Sequence, residues 1–305
     1  SSGESPMIGE VIGSYRLTHE PGPAFEKEFS GVATAATFLG TSSFAVFFFL
    51  FFFIVILFLK KYHEGEVGTK TAVLVFIGLF SALLLYATNA YPVYGAGVSM
   101  GDLNRFNTRM IMFGLSVFIY HVFVGVLAFA AWSVGESSSR TVWPAKMTGV
   151  DSMLFWKLNT LDVAEGITRG FLWGLFLLGA YAAVMFALIK GGVTGVFIQG
   201  ISGLPESYLP AFRPFFAGIT GSVTTEIIFR LFFISYLKEK FRRTWLSVLV
   251  PVVLMAATTF IVWDPPFGYP SFWISVASLV AFGVAFSLLF LRYDLLTTLT
   301  ANFVV

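Results

Sequence analysis

A repeated run of about twenty apolar residues constrains this chain more than any other feature, because that is the length a helix needs to cross a bilayer core. Such runs fall at 41–59, 71–90, 110–133, 167–189, 211–236, 245–263 and 271–291. An eighth begins near 294 and reaches 305, which makes it a half-span or one cut short. In hydrocarbon every backbone polar group must be satisfied inside the protein, and a helix does so within its own segment. The pattern predicts an all-α polytopic transmembrane helix bundle of seven full spans plus a partial eighth. Composition agrees: 57% of the residues are hydrophobic and 12% charged, and the mean hydropathy is +0.82, outside the range of soluble domains.

The expected organisation has four parts. Residues 1–40 form an extramembrane N-terminal arm, and 41–133 a three-span membrane part. Residues 134–166 form a polar linker loop, and 167–305 a C-terminal membrane domain. Gly191, Gly192, Gly195, Gly200 and Gly203 mark 191–204 as a re-entrant or interfacial piece. Basic residues in short loops set orientation. Lys60, Lys61, Lys70, Arg140, Lys146, Lys157, Lys238, Lys240, Arg242, Arg243 and Arg292 all fall on one side if the spans alternate. The arm then lies on the side opposite the cytoplasm, stroma or matrix. The expected location is a prokaryotic cytoplasmic membrane or an organellar inner or thylakoid membrane. No internal repeat is visible, which argues against an inverted-repeat transporter.

Glu226 and Arg230 sit deep in the fifth run, four residues apart and so on one helix face. Ionisable groups at that depth are costly and face protein. Gly218 and Ser222 continue the stripe upward, small residues at the spacing that lets another helix approach closely. One reading is a structural ion pair, Glu226 with Arg230, that helps hold helices together. The other is a carboxylate oriented by an arginine for chemistry.

The succession over 211–305 resembles the CPBP family, the CAAX-protease and bacteriocin-processing intramembrane endopeptidases. That family's first motif is Glu-Glu-x-x-x-Arg, and here Thr225-Glu226-Ile-Ile-Phe-Arg230 is followed by an apolar run and the basic turn Lys238–Arg243. In that family there follow a span ending in Phe-x-x-x-His, a Pro-rich break, a Gly-bearing span, an arginine turn and a last helix carrying His, commonly followed by Asn. The counterparts here are Val253–Trp263, Asp264–Pro270, a span with Gly283, Arg292, and Leu295–Asn302. The resemblance implies a membrane-embedded site in which glutamates and histidines activate a water and stabilise an oxyanion, with or without a metal.

The departures bear on that chemistry. Thr225 replaces the first glutamate, and Asp264 stands at the histidine spacing after Phe260. Thr298 and Asn302 hold the last motif without histidine. The histidines of the chain are His19, His63 and His121, all outside the resembling region. A carboxylate neutralised by an adjacent arginine is a poor base, and threonine and asparagine exchange no protons near neutral pH. Zinc catalysis ordinarily uses three protein ligands, and Glu226 is the one obvious donor. The expectation is a non-catalytic scaffold or accessory subunit of a membrane complex, with no metal and no cofactor. The alternative is an active endopeptidase using Glu226, Arg230, Asp264 and Asn302.

The remaining signals have plain readings. His121 is a hydrogen-bonded core histidine before it is a haem ligand, since no other span offers a second histidine. The run Phe47–Phe53 is a lipid-facing or helix-packing surface. A net charge of +2 points away from nucleic acid. The expected partners are the lipid bilayer and protein subunits of a larger complex. The absence of cysteine excludes disulfides and thiol chemistry.

Overall fold

The computed structural model describes residues 41–94, 104–192, 207–258 and 274–305 in full; of 2–40 and 272–273 only the backbone of regular elements is described. In the arm, Ser2–Glu4 pairs antiparallel with Arg16–Thr18, and Met7–Ile8 with Val11–Ile12. The rest of the described secondary structure is helical. In chain order α1 is Pro23–His63, α2 Lys70–Asn89 and α3 Arg105–Val142. Then come α4, Thr148–Leu154, α5, Leu161–Lys190, and α6, Phe212–Phe241. Helices α7, Thr244–Ala257, α8, Phe272–Arg292, and α9, Leu295–Val304, follow.

Among the described residues, six helices (α1, α2, α3, α5, α6 and α8) are long and apolar enough to cross a membrane. Within the expected span at 245–263 the described part is the 14-residue helix α7, capped at Thr258, and residues 259–263 lie outside the described residues. So do most of the Gly-rich piece at 191–204 and Asp264. The interval 134–166, expected as a loop, is mostly helical. Helix α3 runs on to Val142, a 3₁₀ turn follows at Pro144–Met147, and α4 and the start of α5 fill most of the rest. Its serines are not a solvated surface, since Ser138 and Ser139 are fully buried inside the bundle. Glu136, which would otherwise break an apolar run, is held by Thr71, by Trp132 Nε1 at 2.8 Å and by Arg140 at 2.8 Å.

Helix α6 is the axis of the bundle. Of its most apolar window 67% is buried, against 17–39% for the other five spans. All nine residues Glu226–Ile234 are buried, so the helix is enclosed on every side, as a helix with no polar face must be in a globular core. Over those residues the hydrogen bonding widens to the i→i+5 pattern of a π-helix. The outer helices show the reverse. On α1, Phe47, Leu50 and Ile54 face inward, while Phe49 and Phe52 point outward at 69% and 55% exposure. Phe51 stacks on Phe123 of α3 at 3.8 Å between ring centres. The phenylalanine run thus serves both packing and the lipid-facing surface.

Contacts at the helix ends agree with alternating spans. Lys61 reaches Glu239 at 3.4 Å on the basic side. On the other side the Asn89 side chain clamps Leu209, donating to its carbonyl at 3.1 Å and accepting from its N–H at 2.8 Å.

The short helix α9 is held by α5. Gly166, Gly170 and Gly174 recur every four residues on α5 and line a groove that α9 fills. A Cβ at Gly170 would stand 2.5 Å from the Thr297 carbonyl oxygen, and one at Gly174 2.6 Å from Val304. Backbones that close need glycine, the small-residue rule of membrane helix pairs. Lys146 fixes the corner that feeds α9. Its ammonium donates to the carbonyls of Phe290, Leu291 and Tyr293 at 2.6–2.8 Å, where α8 ends and its carbonyls have no helical partners. Asp294 then caps α9, accepting from the Thr297 N–H at 2.8 Å.

Gly170→Leu should overpack the α5–α9 contact and lower stability by about 1–3 kcal/mol or more, read as thermal unfolding in detergent. Lys146 gives a test by pH. Burial pushes its ammonium down to about 8, against a smaller opposing pull from Asp294. Above that value the unfolded chain, titrating near its ordinary value of 10.5, holds more protons than the folded one. The contribution of Lys146 to stability therefore rises with pH between about 8 and 10.5. The melting temperature of wild type relative to that of Lys146→Met should rise from pH 7 to pH 10.

Candidate functional site

The buried polar groups of α6, α8 and α9 converge at the π-helical stretch. Glu226 is fully buried and Arg230 is 1% exposed. Arg230 Nη1 lies 3.4 Å from Glu226 Oε1, an ion pair without hydrogen-bond geometry. Both residues lie in the π-helical stretch, a form that often marks functional or strained positions. Arg230 Nη2 instead donates to the Gly283 carbonyl of α8 at 3.4 Å, and its guanidinium lies 5.4 Å from the centre of the Phe286 ring. Ser287 also donates to Gly283, at 2.7 Å.

Asn302 completes the cluster from α9. Its amide nitrogen donates to Glu226 Oε1 at 2.6 Å and to Thr225 Oγ1 at 2.9 Å. One amide group so spends both of its protons on the two positions at the head of the motif. Thr225 passes its own proton back along α6 to the Gly221 carbonyl at 2.8 Å. Thr298 stands beside the same carboxylate, but its hydroxyl donates to the Leu295 carbonyl at 2.9 Å. Glu226 Oε2 and Arg230 Nε make no hydrogen bond.

Five residues singled out in the sequence, Glu226, Arg230, Thr225, Thr298 and Asn302, thus meet in one place. Gly218 lies two turns up α6, where a Cβ would sit 3.2 Å from the Phe303 ring, so it sets the approach of α9. Ser222 is buried with its hydroxyl turned to the Ile219 carbonyl at 3.2 Å. Asp264 lies outside the described residues. His121 is buried on α3 at the end of a separate π-helical turn, Ser116–His121. Sequence reasoning missed the Gly166–Gly170–Gly174 groove and the Lys146 tether. The first carries a visible Gly-x-x-x-Gly-x-x-x-Gly signature. The second carries none, because a lysine in a polar stretch gives no hint of the helix end it meets.

Residues 207–305 match the family model described as Type II CAAX prenyl endopeptidase Rce1-like. The match takes in α6, α7, α8 and α9, and hence every side chain of the cluster. It covers about a third of the 305 residues and leaves α1–α5 outside. It spans the same region as the resemblance read from the motif succession. The comparisons with curated proteins and with solved structures yield no match. The chain is thus a membrane protein whose C-terminal region is related to the CAAX endopeptidases.

Among the described residues the neighbours of Glu226 are an amide, two hydroxyls and a guanidinium, and of these groups only the carboxylate itself is a strong metal ligand. Among the described residues no group of three His, Asp or Glu side chains converges.

Removing one member of a buried pair strands the other's charge, at a cost of about 3–5 kcal/mol. Glu226→Ala and Arg230→Ala should each destabilise by that order, and Asn302→Ala by about 1–3 kcal/mol for two lost buried bonds. The double variant Glu226→Ala/Asn302→Ala should cost less than the sum, because both act on one network. Unfolding in detergent micelles reads all of these variants.

Proposed function

We propose that the chain is a non-catalytic relative of the CAAX endopeptidases, acting as a scaffold or accessory subunit of a larger membrane complex. The observation that carries this reading is the company Glu226 keeps. Its carboxylate is fully buried, neutralised by Arg230 and gripped by Asn302, with no second proton acceptor beside it among the described residues. Hydrolysis needs a base free to take a proton and a group that polarises the carbonyl. A carboxylate locked between an arginine and an amide serves instead as a fastener. It joins α6 to α9 directly and to α8 through Arg230.

The outer surface is compatible with that role. Helix α5 has 17% of its apolar window buried and presents Phe171, Leu172, Phe176 and Phe186 outward. Such a face suits acyl chains or the span of a neighbouring subunit equally.

A second reading, an endopeptidase with altered residues, is favoured by two features. Glu226 Oε2 is a buried acceptor with no partner, and the π-helical turn is a form often found at functional sites. Reconstituted protein separates the readings. On the scaffold reading wild type and Glu226→Gln both leave prenylated and unprenylated membrane peptides uncut, and native purification yields the chain with further subunits. Cleavage by wild type that Glu226→Gln abolishes would establish the enzyme.

A further inference from the structure

A cleft of about 330 Å³ opens on the basic side of the bundle, between the ends of α1 and α6 and the turn that joins α1 to α2. It lies far along α6 from Glu226 and shares no residue with the polar cluster there. Its floor is Lys61, a side chain only 10% exposed, paired with Glu66 at 3.3 Å and Glu239 at 3.4 Å. Tyr236 flanks the floor, its ring centre 6.0 Å from the Lys61 ammonium. At the rim Lys60 and Glu64 form a loose, exposed pair 3.9 Å apart. Lys240 also lines the cleft and makes no ion pair among the described residues.

Three features narrow the ligand. First, the site lies at the ends of two spans, where headgroups meet the hydrocarbon. Second, the lining carries three cations, Lys60, Lys61 and Lys240, and three carboxylates, Glu64, Glu66 and Glu239. A purely anionic headgroup or free phosphate would meet as much repulsion as attraction there. Third, charge of both signs stays available to a ligand even though Lys60 pairs with Glu64 and Lys61 with Glu66. Lys240 is a cation with no carboxylate of its own, while Glu64 and Glu66 stay 46% and 53% exposed and can accept further donors. Leu57 closes the membrane-facing wall with apolar surface.

We propose that this cleft binds the headgroup of a zwitterionic phospholipid, a phosphodiester and an ammonium in one molecule. Lys240, with Lys60, takes the phosphate, and Glu64 and Glu66 take the ammonium. The bound lipid would bridge α1 to α6 and complete the clamp begun by Lys61 and Glu239.

The test is native mass spectrometry of the whole chain in detergent, titrated separately with phosphatidylethanolamine, phosphatidylglycerol and glycerophosphoethanolamine. Phosphatidylethanolamine should bind most tightly, and Lys240→Gln and Glu64→Gln should each weaken it about fivefold, the effect of one charge at a membrane surface. Glu64→Gln should leave phosphatidylglycerol unweakened. The headgroup alone should compete, which places recognition in the cleft and not on the acyl chains. Both substituted side chains are on the rim and outside the core, so the variants keep the fold, checked by circular dichroism. Tighter binding of phosphatidylglycerol, or zwitterion affinity unchanged in both variants, would overturn the proposal.

Discussion

Hydrocarbon offers no hydrogen-bond partner, so every polar group that α9 carries into the bundle must be satisfied by protein. That constraint organises the C-terminal part of the molecule. The glycine groove of α5 supplies the close packing, Lys146 and Asp294 build the corner that turns the chain inward, and the Asn302 amide ends in the polar cluster of α6. The helix is a plug seated by contacts on three sides. Its seat explains why a buried carboxylate and guanidinium persist at the centre of an otherwise apolar bundle. Buried ion pairs are weak evidence for stability, and this one lies where α6, α8 and α9 meet.

The same cluster connects to the packing around it. The stretch Glu226–Ile234 is enclosed on all sides, and at Gly135 of α3 a Cβ would stand 2.9 Å from the backbone of Leu231. The π turn is thus wedged between α3 on one flank and α8 and α9 on the other. From this stretch Arg230 reaches Gly283 and Phe286 of α8 while staying paired with Glu226. Local geometry and site chemistry are therefore one problem: an arginine that reaches across to α8 is a tie between helices.

Much of the fold was legible in the sequence, for identifiable physical causes. The spans were readable because an apolar run near twenty residues has few places to go except across a bilayer. Glu226 and Arg230 stood out because charge in such a run is rare. That Asn302 and Thr298 would meet them followed from the order of motifs and not from any local signal, since 76 residues separate Asn302 from Glu226. The π turn was not legible, because residues such as Ile227, Ile228 and Phe229 suit an α-helix equally well and only packing selects the wider form. The stretch 134–166 misread as a loop because its serines and acids look solvated until Trp132, Thr71 and Arg140 are seen to satisfy Glu136.

The separation between Glu226 and Asn302 also has a meaning in time. At roughly 5–20 residues per second, synthesis of the intervening chain takes about 4–15 s. For that interval α6 already carries its acid and its arginine, while the amide that fastens them has yet to leave the ribosome. Until α9 is seated, the Glu226 carboxylate and the Thr225 hydroxyl lack the amide that joins them, so docking of α9 is the step that completes the polar centre.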